Sequence, residues 1–345
     1  MKLPAAYATA VKKRPIDMTV SVNPLGCSPR ALRAVRLASM DDIRTYPDAS
    51  PLLSALAGAF GISPDCICLG AGSEQLIKLV SQTFLAPGDT VVVESGSFFL
   101  FSREPELTGA TVLYRNFSLP QLRMKKPSLL FLANPTTPGG INRSNEQLLA
   151  ILDGIRPAVA IIDEANGEFR SDSMISEITR RDNIIVLRTF SKGWGLAGLR
   201  IGFAAGSPRL IAKLNERQQP FPVTSLAIAA AVASLSDTRF LAKTVAFTAS
   251  ERKFLTAALG KRGFDVSPSV TGNLYVSRPD SKRVIRELER RGVSVIDGTY
   301  FPGMQDPGFR ISLRDKLTNR KFLAALDQSL ACLNRKKLIP SKEDL

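Results

Sequence analysis

The chain has 345 residues, 44% of them hydrophobic, with 46 Lys and Arg against 31 Asp and Glu for a net charge of +15. That size is comfortable for two globular units, no apolar run is long enough to cross a bilayer, and MKLPAAYATAVKKRP lacks the apolar core of a secretory leader. There is no histidine, which excludes Ser-His-Asp and Cys-His catalysis, imidazole acid–base chemistry and histidine-bound metal.

In chain order, the first forty residues carry Pro4, Pro15, Pro24 and Pro29 and read as an irregular arm. SPLLSALAGAFG from Ser50 is helical. Cys66 and Cys68 alternate around Ile67 in a short strand as small buried hydrophobes; with Cys27 and Cys332 they offer neither a disulfide framework nor a zinc spacing. GSEQLIKLVSQTFL is a helix opened by Ser73, with Glu74 in its first turn, and stopped at Pro87-Gly88. TVVVE is a strand, 98–108 a helix, TVLYR and SLLFLAN strands, SNEQLLAILDGI a helix, and AVAIID and NIIVLRTF strands. Strands apolar almost throughout, separated by helices, predict an α/β fold with a mostly parallel sheet sandwiched by helices. After about residue 236 the pattern changes to one long helix, TRFLAKTVAFTASERKFLTAALGKRG. NLYVS, SKRVIRELERRG, VSVI, FRISL and NRKFLAALDQSLACL follow as a smaller α+β unit. The expected organisation is an arm over 1–40 packing on the small domain, a large domain over 41–237 and the small domain over 238–345. Basic residues are scattered along the helices, not gathered in a stripe, which predicts a soluble, cytoplasmic protein attracting small anions, with no nucleic-acid or membrane partner.

Polar groups collect where the apolar strands stop. SLLFLA ends in Asn134-Pro-Thr-Thr-Pro-Gly-Gly140, AVAII in Asp163-Glu164-Ala165-Asn166, and IIVLRTF in Ser191-Lys192. Any one of these suits an ordinary loop start. Together with GAGSE at a helix start they predict a site, because ligands in such sheets bind beyond the carboxyl ends of the strands. Backbone amides at Gly72-Ser73 can hold a phosphate, to which Ser191 and Arg200 add a hydroxyl and a guanidinium. Asp163 can keep a ring nitrogen protonated. A desolvated Lys192 near other cations has a lowered pKa and becomes nucleophilic toward an aldehyde. Gly193, Gly195 and Gly198 would let backbone approach a bulky ligand. A phosphate, a carboxylate-paired ring nitrogen and a lysine imine describe pyridoxal 5'-phosphate, and a lysine that shuttles the proton removes the need for histidine.

SKGWGLAGLRIG (191–202) is similar to the S-K-x-x-x-L-A-G-L-R-x-G signature of fold-type I pyridoxal-phosphate enzymes. The chain resembles the class I/II aminotransferases, in the histidinol-phosphate aminotransferase branch, from Val22-Asn23-Pro24-Leu25-Gly26 to its C-terminal helix. The resemblance implies that Lys192 bonds the cofactor and moves the proton, and that Asp163 pairs with the ring nitrogen. Gly72, Ser73, Ser191 and Arg200 would hold the phosphate, with Phe98 stacked on the ring. Tyr46 would reach the phosphate of a neighbouring subunit in a homodimer, and Arg310 and Asn23 would bind the substrate; no metal is implied. Bland alternatives stand beside three of these: core packing for Phe98, a turn for Tyr46-Pro47, a strand-end charge for Arg310. Two positions depart from the family pattern. Thr137 stands where N-P-N-N-P-T-G has the second Asn, and Asn166 where D-E-A-Y has Tyr, so both contacts to the cofactor's phenolic oxygen change. The resemblance implies an aminotransferase acting on an anionic amino compound and a 2-oxo acid. A decarboxylase of a phosphorylated amino acid, similar to threonine-phosphate decarboxylase, shares every residue named. A non-catalytic protein on the same fold is the third reading.

Overall fold

The computed structural model describes residues 15–117, 126–304 and 308–337. In chain order its strands are β1 (Ile16–Asp17), β2 (Ile67–Gly70), β3 (Thr90–Glu94), β4 (Thr111–Arg115), β5 (Leu129–Ala133), β6 (Val159–Asp163) and β7 (Ile184–Thr189). They continue with β8 (Gly202–Gly206), β9 (Asp265–Val266), β10 (Asn273–Ser277), β11 (Val293–Ser294), β12 (Ile296–Asp297) and β13 (Gly308–Ser312).

The central sheet has the order β2-β8-β7-β6-β5-β3-β4. β7, β6, β5, β3 and β4 run parallel, as the apolar runs predict, and β8 runs antiparallel to both neighbours. Alternate residues of each strand enter separate apolar layers: Leu130, Ile162 and Val186 face one, Phe131, Ile161 and Leu187 the other. Burial on both faces is why these segments read as continuous hydrophobic runs; each such side chain contributes about 1.5–3 kcal/mol. β8 was not expected as a strand, since GFAAG has little strand signature. Its small residues answer to close packing, because a Cβ on Gly202 would lie 2.5 Å from the Arg188 carbonyl oxygen.

The expected helices form over Ser50–Phe60, Gly72–Phe84, Leu100–Leu107, Asn145–Ile155, Thr238–Gly260, Ser281–Arg290 and Lys316–Lys337. The arm differs from the expectation of irregular chain: Pro29–Arg36 is a helix. Ser28 Oγ accepts from the Arg30 amide at 3.1 Å and Pro29 occupies the first turn, where its missing N–H costs nothing. This helix packs against Ser225–Leu235, another helix not expected from sequence. Further upstream, β1 pairs in parallel with β11 and Met18 enters the third apolar cluster. That cluster lies under the antiparallel sheet β12-β13-β10-β9 and its helices. Between these two anchorages the arm carries Thr19–Val22 across the edge of the central sheet. Cys66 and Cys68 are buried as expected, and all four cysteines are free thiols.

Candidate active site

The reversed strand explains how distant residues meet. Gly70 at the end of β2 pairs with Gly202 at the start of β8, which in turn pairs with Thr189 at the end of β7. The helix beginning at Gly72, the loop after Thr189 and Arg200, two residues before β8, therefore share one edge. Asp163 ends β6 at the same edge, paired with Ala133 of β5 and Leu187 of β7.

A cavity of ≈ 230 Å³ opens there. Of the expected residues it brings together Ser73, Phe98, Thr137, Asp163, Asn166, Ser191, Lys192, Arg200 and Arg310, with Gly72 next to Ser73. Two expected residues lie outside it. Tyr46 is 81% exposed and stacks on Phe221 at a centroid distance of 4.5 Å. Asn23 lines a smaller neighbouring cavity of ≈ 20 Å³ with Lys192. Its side-chain amide donates to the Gly193 carbonyl at 2.8 Å and to Thr244 Oγ1 at 3.1 Å, holding the turn after Lys192 from behind.

The lysine ammonium donates to the Ser21 carbonyl at 2.9 Å. Burial, then the positive charges of Arg310 and Arg200, bring its pKa down to about 8, against the opposing pull of Glu74 and Asp163. Asp163 moves the other way. Burial raises it to about 7, although the Ala165 amide donates to Oδ1 at 2.8 Å and Lys192 is attractive. Among the described residues, no side chain donates to this carboxylate, which lines the cavity.

The phosphate-sized end is built from backbone. Helix Gly72–Phe84 has no side-chain cap, so its first amides are left for a ligand. Gly72 has φ +78°, and a Cβ there would stand 2.8 Å from the Arg200 guanidinium, so only glycine lets the two approach. Arg200 also meets Glu74 at 3.2 Å. Ser191 Oγ lies 2.8 Å from Thr189 Oγ1, which donates to the Ile201 carbonyl at 3.2 Å. Ser191 thus donates to Thr189 in this arrangement.

The glycines after the lysine make room for protein, which differs from the expectation of ligand contact. A Cβ on Gly193 would lie 2.7 Å from Glu168 Cβ, and one on Gly195 (φ +74°) would overlap the Gly26 carbonyl; Gly198 meets nothing within 4 Å. Glu168 belongs to a buried ionic network under the site. Arg188 donates to Glu168 and to Glu164 at 3.0 Å each, and Glu164 is also held by Arg170 at 3.1 Å and the Met174 amide at 2.8 Å.

Sequence reasoning missed Thr189, Glu74, Phe99, Asn273, and the Thr19–Val22 and Ile296–Phe301 segments that complete the wall. Glu74 adjoins predicted Ser73 and Thr189 lies two residues before predicted Ser191, so both were within reach. The two segments carry no motif and arrive through tertiary packing alone. Phe98 both lines the cavity and packs edge-on against Phe99 and Phe101.

A mostly parallel sheet with a lysine, a buried carboxylate and an uncapped helix start at one edge defines an α/β enzyme of the fold-type I architecture. The structure superposes on histidinol-phosphate aminotransferase from Sinorhizobium meliloti in complex with pyridoxal-5'-phosphate with a TM-score of 0.85 and 23% identity, covering 96% of each chain. Residues 13–326 match the model of the family described as aminotransferase class I and II, and the chain belongs to that family. It is 37% identical to histidinol-phosphate aminotransferase 1 of Mesorhizobium japonicum, over 89% of this chain and 88% of that one. It is 33% identical to the histidinol-phosphate aminotransferase of Symbiobacterium thermophilum, over 91% and 90%.

Proposed function

We propose that the protein is a pyridoxal-phosphate-dependent aminotransferase of the histidinol-phosphate aminotransferase type, moving an amino group between an anionic amine and a 2-oxo acid. The observation that carries this reading is the convergence of Lys192, Asp163, Ser191, Arg200 and the Gly72–Phe84 helix start on one cavity. The residues fit the cofactor. Amides of Gly72 and Ser73 with Ser191 and Arg200 suit a phosphate, Asp163 accepts no side-chain hydrogen bond among the described residues and suits a protonated ring nitrogen, and Phe98 offers a flat apolar wall. Thr137 and Asn166 line the cavity and would offer hydrogen-bonding groups to the phenolic oxygen, while Asn23 positions the lysine turn. When bound, the pyridoxal ring supplies an electron sink for the pair left by a broken Cα–H bond.

The chain's own residues do the rest. Arg310 fixes the substrate's anion and so orients its Cα–H. Lys192, with a pKa near 8, takes the Cα proton as an amine and returns it as an ammonium. Thr19–Val22 and Phe301 shield this exchange from bulk water. The reading includes a cytoplasmic homodimer with the 1–40, 41–237 and 238–345 organisation. Exposed Leu37, Met40, Ile43, Tyr46 and Phe221 form the apolar surface for the second subunit, toward which Tyr46 would reach. No single helix among the described residues is long and apolar enough to cross a membrane.

The test is borohydride reduction of purified yellow holoenzyme followed by peptide mapping. The adduct is expected on Lys192; an adduct on another lysine, or none, overturns the assignment.

A further inference from the structure

We propose that the small cavity behind Lys192 is a water site. One water, held by Asn166, Thr244 and Thr248, accepts a hydrogen bond from the lysine's ammonium and steadies the charged form of the proton carrier. The role of that water rests on the reading above, in which Lys192 moves the Cα proton; the site itself rests on packing.

The sequence brings the three polar groups together. Thr244 and Thr248 are four residues apart in helix Thr238–Gly260, so their side chains share one face. That helix packs on the 3₁₀ turn Gly167–Phe169, which Asn166 immediately precedes. The cavity they line measures ≈ 20 Å³, and Lys192 and Asn166 line both it and the main cavity. About 10–15 Å³ of such space is enough for one water.

The groups facing this space need partners. Asn166 is 7% exposed and Thr248 2%, and among the described residues neither side chain has a protein hydrogen-bond partner. Thr244 is equally buried, and its Oγ1 accepts from Asn23 at 3.1 Å, which leaves its own proton to donate. Lys192 has three N–H groups and, among the described residues, donates one hydrogen bond to protein, to the Ser21 carbonyl at 2.9 Å. Buried polar groups without a partner are rare, because nothing replaces their lost hydration. One water satisfies all four residues: it accepts from Lys192 and Thr244 and donates to Asn166 Oδ1 and Thr248 Oγ1. The water is neither consumed nor ionised. An ammonium with a second acceptor is better solvated than one with the Ser21 carbonyl alone, so the water opposes the burial that draws Lys192 down to about 8.

The experiment has two arms. Crystals of the holoenzyme, at a resolution that shows ordered water, are expected to place one water within about 3.2 Å of the Asn166 and Thr248 side chains. In the second arm, the rate of cofactor capture by cofactor-free protein is followed against pH for the parent, Thr248→Val and Thr248→Ser. Valine keeps the shape and removes the hydroxyl, so the water is expected to be lost and the midpoint of the profile to fall by about one pH unit. Serine keeps the hydroxyl and is expected to keep the parent's midpoint. An empty cavity in the parent overturns the proposal, as does a Thr248→Val midpoint equal to the parent's. A Thr248→Ser midpoint displaced as far as the valine variant's also overturns it, because the effect then belongs to packing. If borohydride fixes no cofactor to Lys192, the aminotransferase reading fails together with the water's role in it, and the crystal still decides the water site.

Discussion

Replacing Asp163 by Asn keeps the side chain's shape and its bond from the Ala165 amide while removing the ability to ionise. The native carboxyl is 7% exposed, and burial lifts its pKa to about 7 from 3.8. Because the folded value is the higher one, the fold disfavours the charged form. Below pH 4 the group is protonated in both native and unfolded chains, and its titration contributes nothing. Between pH 4 and 7 the unfolded chain releases a proton that the native protein keeps, so stability falls with rising pH; above 7 the loss levels off. Over a window about three pH units wide, at 1.36 kcal/mol per unit, the loss is on the order of 4 kcal/mol at pH 8. Cofactor-free D163N should therefore be more stable than the cofactor-free parent at pH 8, by an amount of that order, and equal to it near pH 4. Urea unfolding at the two pH values measures this. With cofactor the sign reverses, because a protonated ring nitrogen repays the buried carboxylate and the Asn variant loses both cofactor affinity and turnover. An Asn-for-Asp difference that is the same at pH 4 and pH 8 would refute the desolvation argument.

Lys192 should make reconstitution pH-dependent: with its pKa near 8, the rate of cofactor capture by cofactor-free protein rises roughly tenfold per pH unit below 8 and levels above it, whereas a flat profile from pH 6 to 9 contradicts the assignment. Arg188→Met removes a cation shared by buried Glu164 and Glu168 and should destabilise by about 3–5 kcal/mol in urea unfolding. Adding Glu168→Gln to that variant should recover part of the loss; no recovery would place the damage in packing. Tyr46→Ala should weaken cofactor retention by about tenfold and shift sedimentation toward the monomer. A variant that stays dimeric with unchanged cofactor affinity argues that Tyr46 serves only its stack on Phe221.

The central sheet was legible because its strands are buried on both faces, which leaves an uninterrupted apolar signature. β8 was hidden because close packing demanded glycine and alanine, the residues that erase that signature. With β8 unseen, the approach of Arg200 to Gly72 rested on the chemistry of a shared anion and on the SKGWGLAGLRIG resemblance, whereas in the structure it follows from strand direction. The helix at Pro29 was misread because proline is as good a first-turn residue as it is a breaker, and Ser28 decides between them. Arg188 and Glu168 were passed over for a related reason. A single arginine inside IIVLRTF gives no local sign of its buried carboxylates, which come from the following loop of another strand. The polar strand ends were readable because a sheet of this type delivers them to one edge whatever else the chain does. Ile296 and Phe301 have no such rule, and their place beside Arg310 depends on the β12–β13 register.

Burial drives the two reactive groups of the cavity toward the same condition. It lowers Lys192 to about 8 and raises Asp163 to about 7, so both approach neutrality in the free site. Neutrality suits the lysine, which must attack an aldehyde, and is wrong for the carboxylate, which must hold a proton on a ring. The fold alone cannot resolve this, since one desolvated environment acts on both. A ligand that brought a cationic ring nitrogen to Asp163 and an anionic phosphate to Ser191 and Arg200 would resolve it. A pyridinium charge there would favour the ionised carboxylate. On the proposed reading the phosphate would engage Arg200, whose field is one of the two cationic influences on Lys192, and leave Arg310 as the other. On the same reading, an amine whose anion pairs with Arg310 would raise the lysine's proton affinity as it binds. Substrate binding and the readiness of Lys192 to accept the Cα proton would thereby be coupled through one guanidinium.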